Sequence, residues 1–97
     1  MALKIVWTSK AEAGLEKVIE YLDVNWTVTE ILNLEKNLEA FLGRISKYPR
    51  ICPKTSMHEN LHKGLVDKNN YIVYRVNYTK GIIEIIYFRG TRQEPLD

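Results

Sequence analysis

The sequence predicts a two-layer α+β domain in which an N-terminal strand leads into an antiparallel helical hairpin, followed by a mainly antiparallel sheet of about three further strands. Three observations predict it. Apolar residues between Lys10 and Tyr48 recur at spacings of three and four behind two helix-start signals. After Pro49 the apolar period falls to two. The most apolar strand, Ile82 to Phe88, then gives way to a polar, arginine-bearing tail. A chain of 97 residues suits one compact domain spanning 1–97 around a single core.

Lys4 to Trp7 (KIVW) is a short run of strand-favouring residues that stops at Thr8-Ser9. Ser9 with Glu12 reads as a capping box, in which a hydroxyl and a carboxylate satisfy the first free amides of a helix. Leu15, Val18, Ile19 and Leu22 then mark the buried face of a helix from about Lys10 to Val24. A second capping box, Thr27 with Glu30, opens the next helix. Its stripe of Ile31, Leu34, Leu38, Phe41, Leu42 and Ile45 continues to Tyr48, where Pro49 excludes helical geometry from the residue before it. The short link around Asn25 and Trp26 makes the two helices antiparallel neighbours.

Pro53 closes an irregular connection, after which Leu61 to Val66 reads as a strand and Asp67-Lys68-Asn69-Asn70 as a turn. Tyr71 to Asn77 is a strand rich in β-branched and aromatic residues, and Tyr78-Thr79-Lys80-Gly81 turns it into Ile82 to Phe88. A four-residue turn sets Arg75 opposite Glu84, Tyr74 opposite Ile85 and Val76 opposite Ile83. Simple alternation then places Ile72, Tyr74, Val76, Ile83, Ile85 and Tyr87 under the helices. It places Tyr71, Val73, Arg75, Glu84 and Phe88 on the face turned away from them.

Composition, at 45% hydrophobic and 27% charged, is that of an ordinary globular protein, and no apolar run approaches the roughly 20 residues of a membrane span. The opening MALKIVWTSK lacks a secretory signal, and the lone Cys52 has no internal disulfide partner, so the expectation is a cytoplasmic protein. Net charge is +2 but unevenly spread: residues 1–43 carry four basic and seven acidic side chains, residues 44–97 ten basic and five acidic. The cationic second half, with its five arginines, suits an anionic partner, because the planar guanidinium matches phosphate and carboxylate.

The order strand, two helices, three strands carries further local marks: an alanine-bearing apolar helix followed by a tryptophan turn (Ala11 to Trp26), the strand Ile72-Val73-Tyr74-Arg75-Val76, and a last strand running from Ile85 to Arg92. Together these resemble the RelE/ParE superfamily of small bacterial toxins. The resemblance implies the toxin of a type II toxin–antitoxin pair, held in a hetero-oligomer by a cognate antitoxin, with no cofactor and no membrane partner. In the RelE-like branch such proteins cleave messenger RNA on the ribosome, which requires groups that deprotonate a ribose hydroxyl, stabilise the phosphorane and protonate the leaving oxygen. For that branch the matching basic residues are Arg50, Lys54, Lys63, Arg75 and Arg92. The match is incomplete, since Tyr71 stands where that branch has an arginine and the chain lacks a His-Tyr ending. ParE-like members instead inhibit DNA gyrase by binding it, and the tail Arg89-Gly90-Thr91-Arg92-Gln93-Glu94-Pro95 resembles theirs. This branch is the favoured reading, with Tyr71, Arg89, Arg92, His58 and His62 as target-binding residues; a non-toxic binding protein that kept the fold is a third.

His58-Glu59-Asn60-Leu61-His62 matches the H-E-x-x-H zinc pattern, in which two imidazoles on one helical face hold the metal and the glutamate serves as base. The segment follows Pro53, has no apolar helical stripe and runs into predicted strand, so no metal site is expected there. No phosphate-cradling glycine loop or nucleophile elbow occurs.

Overall fold

Six elements follow one another in the computed structural model, which describes residues 2–25, 27–55 and 60–91. They are β1 (Lys4–Trp7), α1 (Ser9–Asn25), α2 (Val28–Lys47), β2 (Leu61–Asp67), β3 (Asn70–Asn77) and β4 (Ile82–Gly90). The four strands form one sheet in the order β1-β4-β3-β2, antiparallel except for the parallel pair β1 and β4. The result is the predicted two-layer α+β fold.

The cap of α1 falls one residue earlier than the sequence suggests. Thr8, not Ser9, accepts the Ala11 amide on its hydroxyl at 3.2 Å and the Glu12 amide on its carbonyl at 3.0 Å. The same hydroxyl donates to the Ile85 carbonyl at 2.8 Å, so one side chain both caps α1 and fastens it to β4. Ser9 becomes the first, exposed residue of the helix. Thr27 is the N-cap of α2 as expected, with extended backbone, but its side chain makes no capping bond; the Glu30 amide is held by the Thr27 carbonyl at 3.1 Å. At the far end Arg44 and Lys47 place positive charge against the negative pole of the helix, which closes at Tyr48.

Both helices cover one side of the sheet. Leu34, Phe41 and Ile45 of α2 and Ala11 of α1 are buried against Val66, Ile72, Tyr74, Ile83, Ile85 and Phe88. Each fully buried aliphatic or aromatic side chain of this set contributes roughly 1.5–3 kcal/mol relative to leaving it exposed. Leu3 and Ser46 lock β1 beneath α2: the Leu3 amide donates to the Ser46 carbonyl at 3.0 Å, and the Ser46 hydroxyl donates to the Leu3 carbonyl at 2.6 Å. Gly14 lets α1 lie directly on β4, since a Cβ there would meet the Phe88 carbonyl.

The hairpin register is as predicted through Tyr74 opposite Ile85, Arg75 opposite Glu84 and Val76 opposite Ile83. Beyond it a β-bulge intervenes. Val73 pairs with Tyr87 while Tyr74 pairs with Ile85, leaving Ile86 as the extra residue. The bulge inverts the expected facing of Tyr87 and Phe88. Phe88, expected on the far side, is 1% exposed in the helix-facing core opposite Ile72, and Tyr87, expected under the helices, packs on the other face with Leu61, Tyr71, Val73 and Ile86. Among the described residues no helix is long and apolar enough to cross a membrane.

Candidate functional site

The face of the sheet turned away from the helices carries Lys63, Arg75 and Arg89, three of the cationic side chains of the second half. Cross-strand partners share a face, so the pairs Lys63 with Val73, Leu65 with Tyr71, Leu61 with Arg75, Tyr71 with Arg89 and Arg75 with Glu84 all lie on this outer side. Its floor is apolar: Leu61, Tyr71 and Val73 are buried, with Ile86 and Tyr87 packed against them. Two ammonium groups sit over aromatic rings, Lys63 Nζ 4.4 Å from the centre of Tyr71 and Lys10 Nζ 4.7 Å from that of Tyr87. Arg75 meets Glu84 through Nε and Nη2, both 3.1 Å from Oε1. The surface thus carries two ammonium groups above aromatic rings, Lys63 and Lys10, beside the Arg75–Glu84 ion pair and Arg89.

The upper end of this face is fixed by the turn between β2 and β3. Asp67 Oδ1 accepts the Asn69 amide at 2.7 Å and the Asn70 side-chain amide at 3.1 Å. Thr91 then closes the end of β4 onto that turn, its amide donating to the Asn69 carbonyl at 2.8 Å and its hydroxyl to the Lys68 carbonyl at 3.2 Å. Tyr71 and Arg89 therefore stand side by side on strands held at both flanks.

The residues singled out from sequence converge only in part. Lys63 and Arg75 share the outer face, as do Tyr71 and Arg89. Tyr71 is a buried platform under Lys63 and not an exposed stacking ring. Arg50 lies at the opposite end of the molecule, its Nε donating to the Tyr78 hydroxyl at 3.1 Å. Lys54 bridges His62 at the edge of β2, which assigns it to the helix side of the sheet. His62 is 7% exposed; its Nδ1 donates to the Cys52 carbonyl at 2.8 Å and its ring stacks on Tyr74 at 5.1 Å, the environment of a core histidine. Arg92, His58 and Glu59 lie outside the described residues. Among the described residues no three His, Cys, Asp or Glu side chains group as metal ligands. Sequence reasoning missed Lys10 and Tyr87, because their contact depends on the bulge at Ile86.

A family model for the ParE toxin of type II toxin–antitoxin systems, parDE, matches residues 5–95. No curated protein matches the chain. Among solved structures it is similar to a mutant E. coli RelE toxin in the free state, at 19% identity with a TM-score of 0.67, covering 95% of this chain and 86% of that one. It is similar also to the toxin–antitoxin complex RelBE2 from Mycobacterium tuberculosis, at 15% identity and a TM-score of 0.67, over 93% of this chain and 99% of that one. The isolated E. coli RelE toxin gives 17% identity and a TM-score of 0.65, over 98% and 90%. The fold is that of the RelE structures, and with a family match running nearly end to end the chain belongs to the ParE toxins of type II toxin–antitoxin systems.

Proposed function

We propose that this toxin stops growth by binding DNA gyrase in the cytoplasm and is neutralised there by its cognate antitoxin. The observation that supports this reading is that, among the described residues, Arg50 and Lys54 stand apart from the Lys63 and Arg75 with which a ribosome-dependent nuclease would have to combine them. Arg50 is tied to Tyr78 at one end, Lys54 belongs to the helix side, and Lys63 and Arg75 are engaged on the outer face by Tyr71 and Glu84. General acid–base chemistry needs its groups within hydrogen-bond reach of the same reacting atoms. Binding needs only a surface, and the outer face supplies one on which Lys10 and Lys63 sit over tyrosine rings, with Arg89 beside Tyr71 at its upper end. Aromatic and arginine side chains of this kind are those that dominate protein interfaces.

The test is direct. Purified chain is added to gyrase with relaxed plasmid, and separately to a translating extract whose messenger ends are mapped. Loss of supercoiling with intact messenger is the expected result. Messenger cut on the ribosome while gyrase continues to supercoil would overturn it.

A further inference from the structure

At the end of the molecule away from Tyr71 and Arg89, a surface hollow of about 620 Å³ is lined by Lys47, Tyr48, Pro49, Arg50, Ile51 and Tyr78. It lies where α2 ends and the β3–β4 turn begins, some seven strand residues from Tyr71, which is roughly 20 Å at 3.3 Å per residue. Three large apolar side chains are exposed here. Tyr48 is 65% exposed, Ile51 58% and Tyr78 56%.

The rim has one sign of charge. Lys47 and Arg50 line the hollow, Lys80 lies two residues after Tyr78, and among the described residues no acidic side chain contributes to the lining. Arg50 is held in place by its 3.1 Å bond to the Tyr78 hydroxyl, with its guanidinium carbon 5.6 Å from the centre of that ring. A partner carboxylate would meet a guanidinium that the Tyr78 hydroxyl and ring already orient. The floor favours a protein over a nucleic acid. Pro49, Ile51 and the two tyrosine rings form a depression within the 300–1,000 Å³ range that receives apolar groups, whereas a nucleic-acid track would need cations spaced along a backbone.

We propose that this hollow anchors an acidic segment of the antitoxin, one apolar side chain seated between Tyr48, Ile51 and Tyr78 and its flanking carboxylates on Lys47 and Arg50. The proposal rests on the chain's membership of a toxin–antitoxin pair and not on the identity of the toxin's target. It makes neutralisation separable from toxicity, because the anchor is remote from the outer face.

The test uses the toxin chain and its cognate antitoxin. Tyr48→Ser with Ile51→Ser removes the apolar floor, and Lys47→Glu reverses a rim charge, all at exposed side chains. Antitoxin affinity is expected to fall at least tenfold for each variant while growth inhibition by toxin alone stays at the wild-type level. Amide exchange of the unmodified toxin supplies a readout that needs no variant: residues 48–51 and 78–81 gain protection on adding antitoxin. Affinities within twofold of wild type, or no gain in protection, overturn the proposal. Loss of growth inhibition with antitoxin binding retained also overturns it, by making the hollow a contact for the target. If the wild-type toxin binds no antitoxin at all, the toxin–antitoxin reading itself falls, a failure distinct from the others.

Discussion

The Tyr74 hydroxyl donates a 2.8 Å hydrogen bond to the carbonyl of Pro49, joining the middle of β3 to the segment that leaves α2. Tyr74 is fully buried, stacked on His62, and His62 in turn donates to the Cys52 carbonyl, so these two side chains hold the 49–55 connection against the sheet. Because a carbonyl only accepts, His62 Nδ1 is the donor in this bond. Burial first, and the neighbouring Cys52 second, raise the Tyr74 pKa above that of an ordinary tyrosine.

Replacing Tyr74 with Phe leaves the Pro49 carbonyl without its donor while keeping the ring. The expected cost is about 1–3 kcal/mol, read from the urea midpoint near neutral pH. A raised native pKa means that the hydroxyl's contribution is complete below the unfolded value of about 10 and is lost as pH climbs through the native one. Wild type and Tyr74→Phe should therefore converge in stability above pH 10. Two curves that stay parallel into strong alkali would contradict this account.

The bulge at Ile86 makes an asymmetric demand on two adjacent aromatics. Phe88 sits in the main core opposite Ile72, whereas Tyr87 is part-buried on the outer face. Phe88→Ala is expected to destabilise by about 3–5 kcal/mol and Tyr87→Ala by less than half as much. Thermal unfolding of the two variants decides the matter, since an unbulged strand would give the reverse order.

That inversion also shows where legibility in the sequence stops. The helices could be read because their apolar stripes have a period and Pro49 an end, and the hairpin register because the turn from Tyr78 to Gly81 fixes it for the first pairs. Ile82-Ile83-Glu84-Ile85-Ile86-Tyr87-Phe88, however, is apolar at nearly every position, and Glu84 alone marks a face. A slip of one residue after Ile85 leaves an apolar side chain on either side, so alternation carries no information there. The candidate site inherits the same limit. Lys63 and Tyr71 are each recognisable, but their contact depends on the β2 register, which shifts between Leu65 and Asp67.

Two glycines of the helical hairpin should respond in opposite directions. A Cβ at Gly14 would collide with the Phe88 carbonyl, and backbone on both sides has little room to yield, while Gly43 in α2 has nothing within 4 Å. Gly14→Ala is expected to cost about 2–3 kcal/mol despite its gain in helix propensity. Gly43→Ala should stabilise by up to about 1 kcal/mol through that same gain. If chemical denaturation finds both stabilising, α1 does not rest on β4 as closely as described.

Lys63 and Arg75 test whether the outer face serves the target. Both side chains are largely in solvent, and the Arg75–Glu84 pair, with the arginine 49% exposed, belongs to the class of surface ion pairs that contribute about 0–1 kcal/mol. Lys63→Gln and Arg75→Gln should therefore leave the melting temperature nearly unchanged. Function should be more sensitive, because a binding surface built from a few ordered cations loses charge complementarity with each one removed. At least a tenfold weaker inhibition of supercoiling is expected for the double variant, with antitoxin binding through the remote hollow preserved. Unchanged gyrase inhibition in a folded double variant would move the toxic surface elsewhere on the molecule.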